Sequence, residues 1–195
     1  MMAIVARWEW RTFGNGDFGE SEKMMRAMKM DFNKKTEEVY ILSRKSDENV
    51  KIRFDLVDVK SLQNVNEDKL EQWLPVLKTG FPISAAVLGD LFKIFNVELP
   101  KLERAEYTYD QFIEELVKPN KDLVIVNVKK SRDIYKIDGT TAEIAEAEFN
   151  GKPVRTICVE HEDPALIMTV VKKLGLCGAE NVNYIQAMKK SVGMN

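Results

Sequence analysis

Two dipeptides constrain this chain more than any other feature: Asp138-Gly139 and Asn150-Gly151. Both lie in the stretch from Leu123 to Asp163, LVIVNVKKSRDIYKI-DG-TTAEIAEAEF-NG-KPVRTICVEHED. Each separates two strand-like runs. Asp-Gly and Asn-Gly suit two-residue hairpin loops, whose central residues both need positive φ. A two-residue loop also sets register. Ile137 then faces Thr140, Ile134 faces Glu143 and Arg132 faces Ala145. Across the second loop Phe149 faces Lys152, Ala145 faces Thr156 and Glu143 faces Cys158.

Strand alternation sorts these side chains onto two faces. One collects Lys130, Arg132, Ile134 and Lys136, then Thr141, Glu143, Ala145 and Ala147, then Thr156, Cys158, Glu160 and Glu162. The other collects Ile125, Tyr135, Ile137, Ile144, Ile157 and Val159. On this second face Lys129 opposes Glu148 and Glu146 opposes Arg155, as cross-strand ion pairs. The second face is a core face. The first has a basic edge, an acidic edge and small alanines between, which suits an anion together with a metal.

The 195 residues are 45% hydrophobic, enough for one good-sized core. A formal net charge of -2 argues against non-specific nucleic-acid binding, which needs a basic surface. Any basic function must be local. Two cysteines without metal-ligand spacing form no disulfide framework, which predicts a reducing, cytoplasmic compartment. Arg7 interrupts the opening apolar run, so no signal peptide is expected, and no 18-residue apolar run predicts a membrane span.

In chain order, Ala3 to Phe13 alternates as a strand, with Ala6, Trp8 and Trp10 on one face and Arg7, Glu9, Arg11 and Phe13 on the other. Gly14 to Asp17 reads as a loop and Gly19 to Met30 as a short helix with Met24, Met25 and Met28 inward. Glu38 to Leu42 reads as a short strand. Val50 to Val59 alternates as one strand, with Val50, Ile52, Phe54 and Leu56 opposite Lys51, Arg53 and Asp55. Three helices are expected next. Asn66 caps one from Glu67 bearing Leu70, Trp73, Leu74 and Leu77, with Pro75 kinking it. Ser84 caps one to Asn96, and Thr108 caps one to Val117. This block, about 66–119, reads as a helical insertion packed on the sheet of a single domain. Pro164 suits the first turn of a helix bearing Leu166, Ile167, Val170, Val171 and Leu174, and Asn183 caps a last helix.

Arg7, Arg11, Lys51, Arg53, Lys130, Arg132 and Lys136 all fall opposite apolar faces. Facing bulk water, as in a plain α+β protein, they need no explanation. Enclosed, like charges without partners cost several kcal/mol each, roughly, so a basic lining demands anions. Arginine forks match phosphate oxygens, and carboxylates at Glu9, Glu143, Glu160 and Glu162 suit Mg²⁺ or Mn²⁺. His161 falls on the apolar side of its strand and reads as a packed or surface histidine. Cys158 reads as a small filler thiol.

The ordered set Arg7-Trp8-Glu9-Trp10-Arg11, Lys51-Ile52-Arg53, Lys130-Ser131-Arg132 and Glu160-His161-Glu162 resembles the triphosphate tunnel metalloenzymes, the CYTH-like superfamily of thiamine triphosphatases and class IV adenylate cyclases. That resemblance implies an α+β fold: an antiparallel eight-stranded closed or nearly closed tunnel barrel with helices outside. It implies a small phosphorylated ligand carrying a triphosphate or polyphosphate, and a Mg²⁺ or Mn²⁺ cofactor. Arg7, Arg11, Lys51, Arg53, Lys130, Arg132 and Lys136 would hold phosphate. Glu160 and Glu162, assisted by Glu9 and Glu143, would hold metal. The opening motif here is R-x-E-x-R where the family has E-x-E-x-K. A cation replaces a ligand carboxylate, which weakens a metal site and strengthens an anion site. Two functions therefore stand: metal-dependent hydrolysis of a triphosphate compound, and binding of a polyanion without catalysis.

Overall fold

The structure is a computed structural model that describes residues 5–14 and 16–194. The expected start of the first strand at Ala3-Ile4, and Asn15 of the first loop, lie outside the described residues. Strand β1 (Arg7–Gly14) leads to helix α1 (Gly19–Arg26), followed by β2 (Met30–Ser43), β3 (Asn49–Arg53), β4 (Leu56–Val65) and β5 (Glu71–Gly80). A two-stranded ribbon, β6 (Ile83–Ser84) with β7 (Glu106–Tyr107), brackets helix α2 (Ala85–Ile94). Helix α3 (Tyr109–Gln111) runs on as a π-helical turn, Phe112–Val117. Then come β8 (Leu123–Ile137), β9 (Thr140–Phe149) and β10 (Lys152–His161), and helices α4 (Pro164–Lys173) and α5 (Tyr184–Ser191).

Eight strands close into an antiparallel barrel in the order β1-β10-β9-β8-β2-β3-β4-β5, with β5 returning to β1. The two Gly-bearing turns behave as the sequence requires. Asp138 and Gly139 take φ of 48° and 88°, and Asn150 and Gly151 take 50° and 81°. Every cross-strand pair expected from them is present, including Arg132 with Ala145 and Glu143 with Cys158.

Three strand assignments differ from the sequence reading. The run from Val50 to Val59 is a hairpin, not one strand. It turns at Phe54-Asp55, whose φ values of 51° and 59° make a two-residue loop without glycine. The turn moves Leu56 to the face of Arg53 and brings Asp58 and Lys60 to the face of Lys51. The stretch expected as a helix from Glu67 is strand β5. Pro75, which lacks an N–H, sits beside a β-bulge where β4 shifts register, beyond the pairing of β5 with β1. Finally, β2 starts at Met30 and pairs along its whole length with β8, so it is far longer than Glu38 to Leu42. The other two helices of the middle block form with their expected caps, Ser84 and Thr108.

The core lies partly outside the barrel wall and partly inside one section of it. On the outer face, Trp8, Trp10, Tyr135, Ile137, Ile144, Ile157 and Val159 bury against Ile167, Val170 and Val171 of α4, Leu174 that caps it, and Met25 of α1. Asp163 caps α4 by accepting from the Ala165 N–H. A second cover, α2 with the π-helical turn, buries Ile41, Val50, Ile52, Val57 and Val59. Each such fully buried side chain contributes about 1.5–3 kcal/mol. Helix α5 does something different. Its Tyr184, Ile185 and Met188 pack on Tyr40, Leu42, Val126, Val128 and Phe149, which share the strand faces of Lys130 and Glu143. An apolar helix face thus fills one section of the interior, and the polar section is left as a cavity.

Candidate functional site

Alternation along the strands aims one file of side chains from each into the barrel. They line a cavity of about 270 Å³. Of the residues expected from the sequence, Arg11, Lys51, Lys130, Arg132, Glu9, Glu143 and Glu160 stand on its wall. Lys34 from β2, Lys60 from β4 and Tyr184 from α5 join them. The other four lie off the wall. Arg53 pairs with Glu38, Lys136 is exposed and donates to Thr141, and Glu162 is exposed past the end of β10. Arg7, 45% exposed at its side chain, reaches Glu160 at 3.3 Å. His161 accepts from the Asp163 N–H, and Cys158 is buried on the wall.

The carboxylates of the interior are held by cations of the chain itself. Arg11 is 6% exposed. Its Nε donates to Glu9 Oε1 at 2.8 Å, and its Nη1 donates to Glu143 Oε1 at 3.1 Å and Thr156 Oγ1 at 3.3 Å. Its guanidinium lies 4.5 Å from the Tyr184 ring centre. Glu143 Oε2 accepts from Arg132 at 3.5 Å. Burial alone would raise the Glu9 carboxyl, but the charge and hydrogen bond of Arg11 outweigh it and leave it below the ordinary range.

One step along, Glu38 accepts from Lys130 Nζ at 2.8 Å and Arg53 Nη1 at 3.2 Å. Burial opposes the Glu38 charge, yet Lys130, Lys51 and Arg53 together hold its carboxyl well below the usual carboxylate range. Lys130 also donates to the Tyr40 hydroxyl at 2.8 Å and sits 3.9 Å from the Tyr184 ring centre. Burial pushes the Lys130 ammonium down to about 7, against the pull of Glu38. Its charge is therefore sensitive to pH near neutrality.

The remaining cations are placed differently. Lys34, Lys51 and Lys60 make no ion pair or hydrogen bond among the described residues, although all three face the cavity. Burial lowers the Lys51 ammonium, with Lys60 and Arg53 adding repulsion, against the partial pull of Glu38 and Asp58. Two donor atoms of wall residues are enclosed behind the surface without an acceptor: Arg132 Nε and the hydroxyl of Tyr184. A buried donor left unmade costs about 1–3 kcal/mol. The lining holds six Lys and Arg side chains against three glutamates, so the cavity has an excess of positive charge.

A divalent metal fits this donor set poorly. Glu9 and Glu143 are both committed to Arg11, and Glu160 to Arg7. Among the described residues no three His, Cys, Asp or Glu side chains converge as a metal site. No helix among them is long and apolar enough to cross a membrane.

Lys34 and Lys60 were missed in the sequence for a physical reason. Both sit on strands whose extents were misjudged, and Lys60 reaches the Lys51 face only through the Phe54-Asp55 turn. The alternation Lys34, Thr36, Glu38, Tyr40 is the signal that exposes the true length of β2.

No protein-family model and no curated protein sequence matches the chain. Solved structures do. A proposed adenylyl cyclase from Hippeastrum, described as having a dominant triphosphatase activity, shares 11% identity at a TM-score of 0.53, over 96% of each chain. A proposed adenylate cyclase from Bacillus halodurans shares 9% identity at 0.58, over 95% of this chain and 98% of the other. A conserved hypothetical protein from Pyrococcus furiosus shares 16% identity at 0.50, over 91% and 98%. With its closed eight-stranded antiparallel barrel, the chain has the tunnel fold of the CYTH-like, adenylyl cyclase and triphosphatase-type proteins.

Proposed function

We propose that the barrel cavity binds the phosphate chain of a small triphosphate- or polyphosphate-bearing compound. One observation carries this reading. Lys34, Lys51 and Lys60 converge on one cavity and make no ion pair or hydrogen bond of their own among the described residues. A chain of phosphate oxygens supplies negative charge and many acceptors together. A single carboxylate ligand supplies too few oxygens for three separated ammonium groups. The cavity lies near the lower end of small-ligand pockets, about 300–1,000 Å³. That size suits a short phosphate chain with any organic group lying outside. Arg11 and Lys130 contribute mainly field, since most of their donors are already engaged. Arg7, Arg53 and Lys136 act at a distance or at the rim.

A second reading is hydrolysis of that phosphate chain with Mg²⁺ or Mn²⁺ held by Glu9, Glu143, Glu160 and Glu162. It is favoured by the Hippeastrum neighbour, described by its triphosphatase activity. The arginine pairing of Glu9, Glu143 and Glu160 speaks against it. Both readings are tested on purified protein with inorganic tripolyphosphate, nucleoside triphosphates and thiamine triphosphate. Binding is followed by calorimetry and thermal shift, and turnover by phosphate release. Tight binding of tripolyphosphate with no phosphate release, with or without Mg²⁺ or Mn²⁺, supports the first reading. Metal-stimulated release supports the second. Neither binding nor release sinks both.

A further inference from the structure

The carboxylates of the acidic side converge on a group the chain brings with it. We propose that the Arg11 guanidinium is the resident cation of the cavity, so that a phosphate chain enters without a divalent metal. This rests on the phosphate-chain reading above.

The geometry is that of a built site. Arg11 is anchored in four directions: to Glu9, to Glu143, to Thr156 and against the ring of Tyr184. Its own backbone N–H donates to Asn181 Oδ1 at 2.7 Å, which ties β1 to the segment before α5. Almost none of the side chain reaches solvent. A guanidinium stays protonated at any physiological pH, and its planar fork matches two carboxylates at once.

A metal at this place would have to displace Arg11 from three hydrogen bonds, or sit beside a fixed positive charge. Both are unfavourable in an enclosed site. A covalently tethered cation also cannot be chelated away. Together with Arg132 it offsets Glu9 and Glu143, which would otherwise repel an anion, and leaves Lys34, Lys51 and Lys60 to meet the phosphates. Shielding of the acids from the phosphate chain is thus carried out by side chains of the protein itself.

The test uses the full chain and sodium tripolyphosphate as probe. Calorimetric titration is run in excess EDTA and again with excess Mg²⁺. Uptake of Mn²⁺ is followed separately by electron paramagnetic resonance, on wild type, Arg11→Gln and Arg11→Lys. The expected result is tripolyphosphate binding in EDTA at least as tight as with Mg²⁺, because Mg²⁺ ties up ligand charge. Wild type and Arg11→Lys should take up little Mn²⁺. Arg11→Gln, which frees Glu9 and Glu143 from their cation, should bind Mn²⁺ about tenfold more tightly or better. Tripolyphosphate binding that appears only with added metal overturns the proposal and leaves the phosphate-chain reading standing. Absence of binding in both titrations overturns the phosphate-chain reading. Equal Mn²⁺ uptake by wild type and Arg11→Gln overturns the assignment of Arg11 whatever the ligand. If Arg11→Gln fails to fold, the wild-type titration in EDTA still decides.

Discussion

The two sides of the cavity carry similar side chains but differ in how these are partnered. On one side Glu9, Glu143 and Glu160, and on β2 off the wall Glu38, each pair with an arginine or lysine of the chain. On the other, Lys34, Lys51 and Lys60 face the same space and make no ion pair or hydrogen bond among the described residues, although Glu38 and Asp58 attract Lys51 from further off. A charge with a partner in a dry interior holds the fold together. A charge without one burdens the fold and favours whatever anion arrives. The same residue types should thus give opposite answers when truncated: lost stability on the paired side, lost binding and retained or improved stability on the unpaired side.

The largest effect is expected at Glu38. Its side chain is 1% exposed and Lys130 beside it 5%. Glu38→Ala leaves Lys130 and Arg53 without their acceptor, and should cost about 3–5 kcal/mol in urea unfolding. Adding Lys130→Met should recover much of that loss, because the buried ammonium left without its carboxylate is then gone. A Glu38→Ala protein as stable as wild type would mean the pair is not enclosed as described.

Next comes Lys51→Met. It removes a desolvated charge that Glu38 and Asp58 offset only in part and without an ion pair, so stability should hold or change little. Tripolyphosphate affinity should fall by about 10- to 100-fold, the value of a charge-assisted hydrogen bond of roughly 1.5–3 kcal/mol. Lys60→Met should act alike. If either substitution destabilises the fold and leaves the affinity unchanged, the contrast between the two sides is wrong.

How much of this was visible in the sequence depends on whether a turn announces itself. Three hairpins have two-residue loops with positive φ at both positions. Those at Asp138-Gly139 and Asn150-Gly151 carry glycine, and from them the faces of β8, β9 and β10 follow correctly, with Lys130, Arg132, Glu143 and Glu160 inward. The third, Phe54-Asp55, carries none, so β3 and β4 fuse into one apparent strand and Lys60 is lost from view. Strand β5 was hidden differently. Leu70, Trp73, Leu74 and Leu77 happen to repeat at helical spacing, while the barrel needs an eighth strand there to pair with β1 and β4. That demand is a tertiary one, and local periodicity does not contain it. The pairing of the acids with Arg11 and Arg132 was equally out of reach, because it depends on which strands meet across the interior.

Outside the barrel, the paired state can be probed by pH. Glu22 of α1 accepts from Arg155 and Arg26, both at 2.7 Å. Burial would raise its carboxyl, but those hydrogen bonds and one from the Phe18 N–H bring it down to about 2, from an ordinary 4.5. A carboxyl depressed in the folded state adds stability that is complete above its unfolded value and is lost as pH falls. The window is therefore about pH 4.5 down to 2. Arg26 is 43% exposed, so solvent screens part of the gain, and roughly 1–2 kcal/mol is expected. Glu22→Gln should flatten the fall in melting temperature across that window relative to wild type. An unchanged profile would assign the acid sensitivity elsewhere.

The smallest effect should come from the silent turn. Asp55 is held at φ 59°, a conformation that costs an L side chain about 1–2 kcal/mol and glycine little. Asp55→Gly relieves that cost but adds freedom to the unfolded chain, worth roughly 0.5–1 kcal/mol in the other direction. A net gain of about 0.5–1 kcal/mol in urea unfolding is the difference. Tripolyphosphate binding should not change, because Asp55 is exposed in the turn and is absent from the cavity wall. The substitution therefore separates the two quantities that the cavity joins. A stabilised protein with unaltered affinity shows that β3 and β4 are a hairpin whose turn serves register alone. A destabilised one restores the reading of Val50 to Val59 as a single strand, and with it removes Lys60 from the side of the cavity that receives the anion.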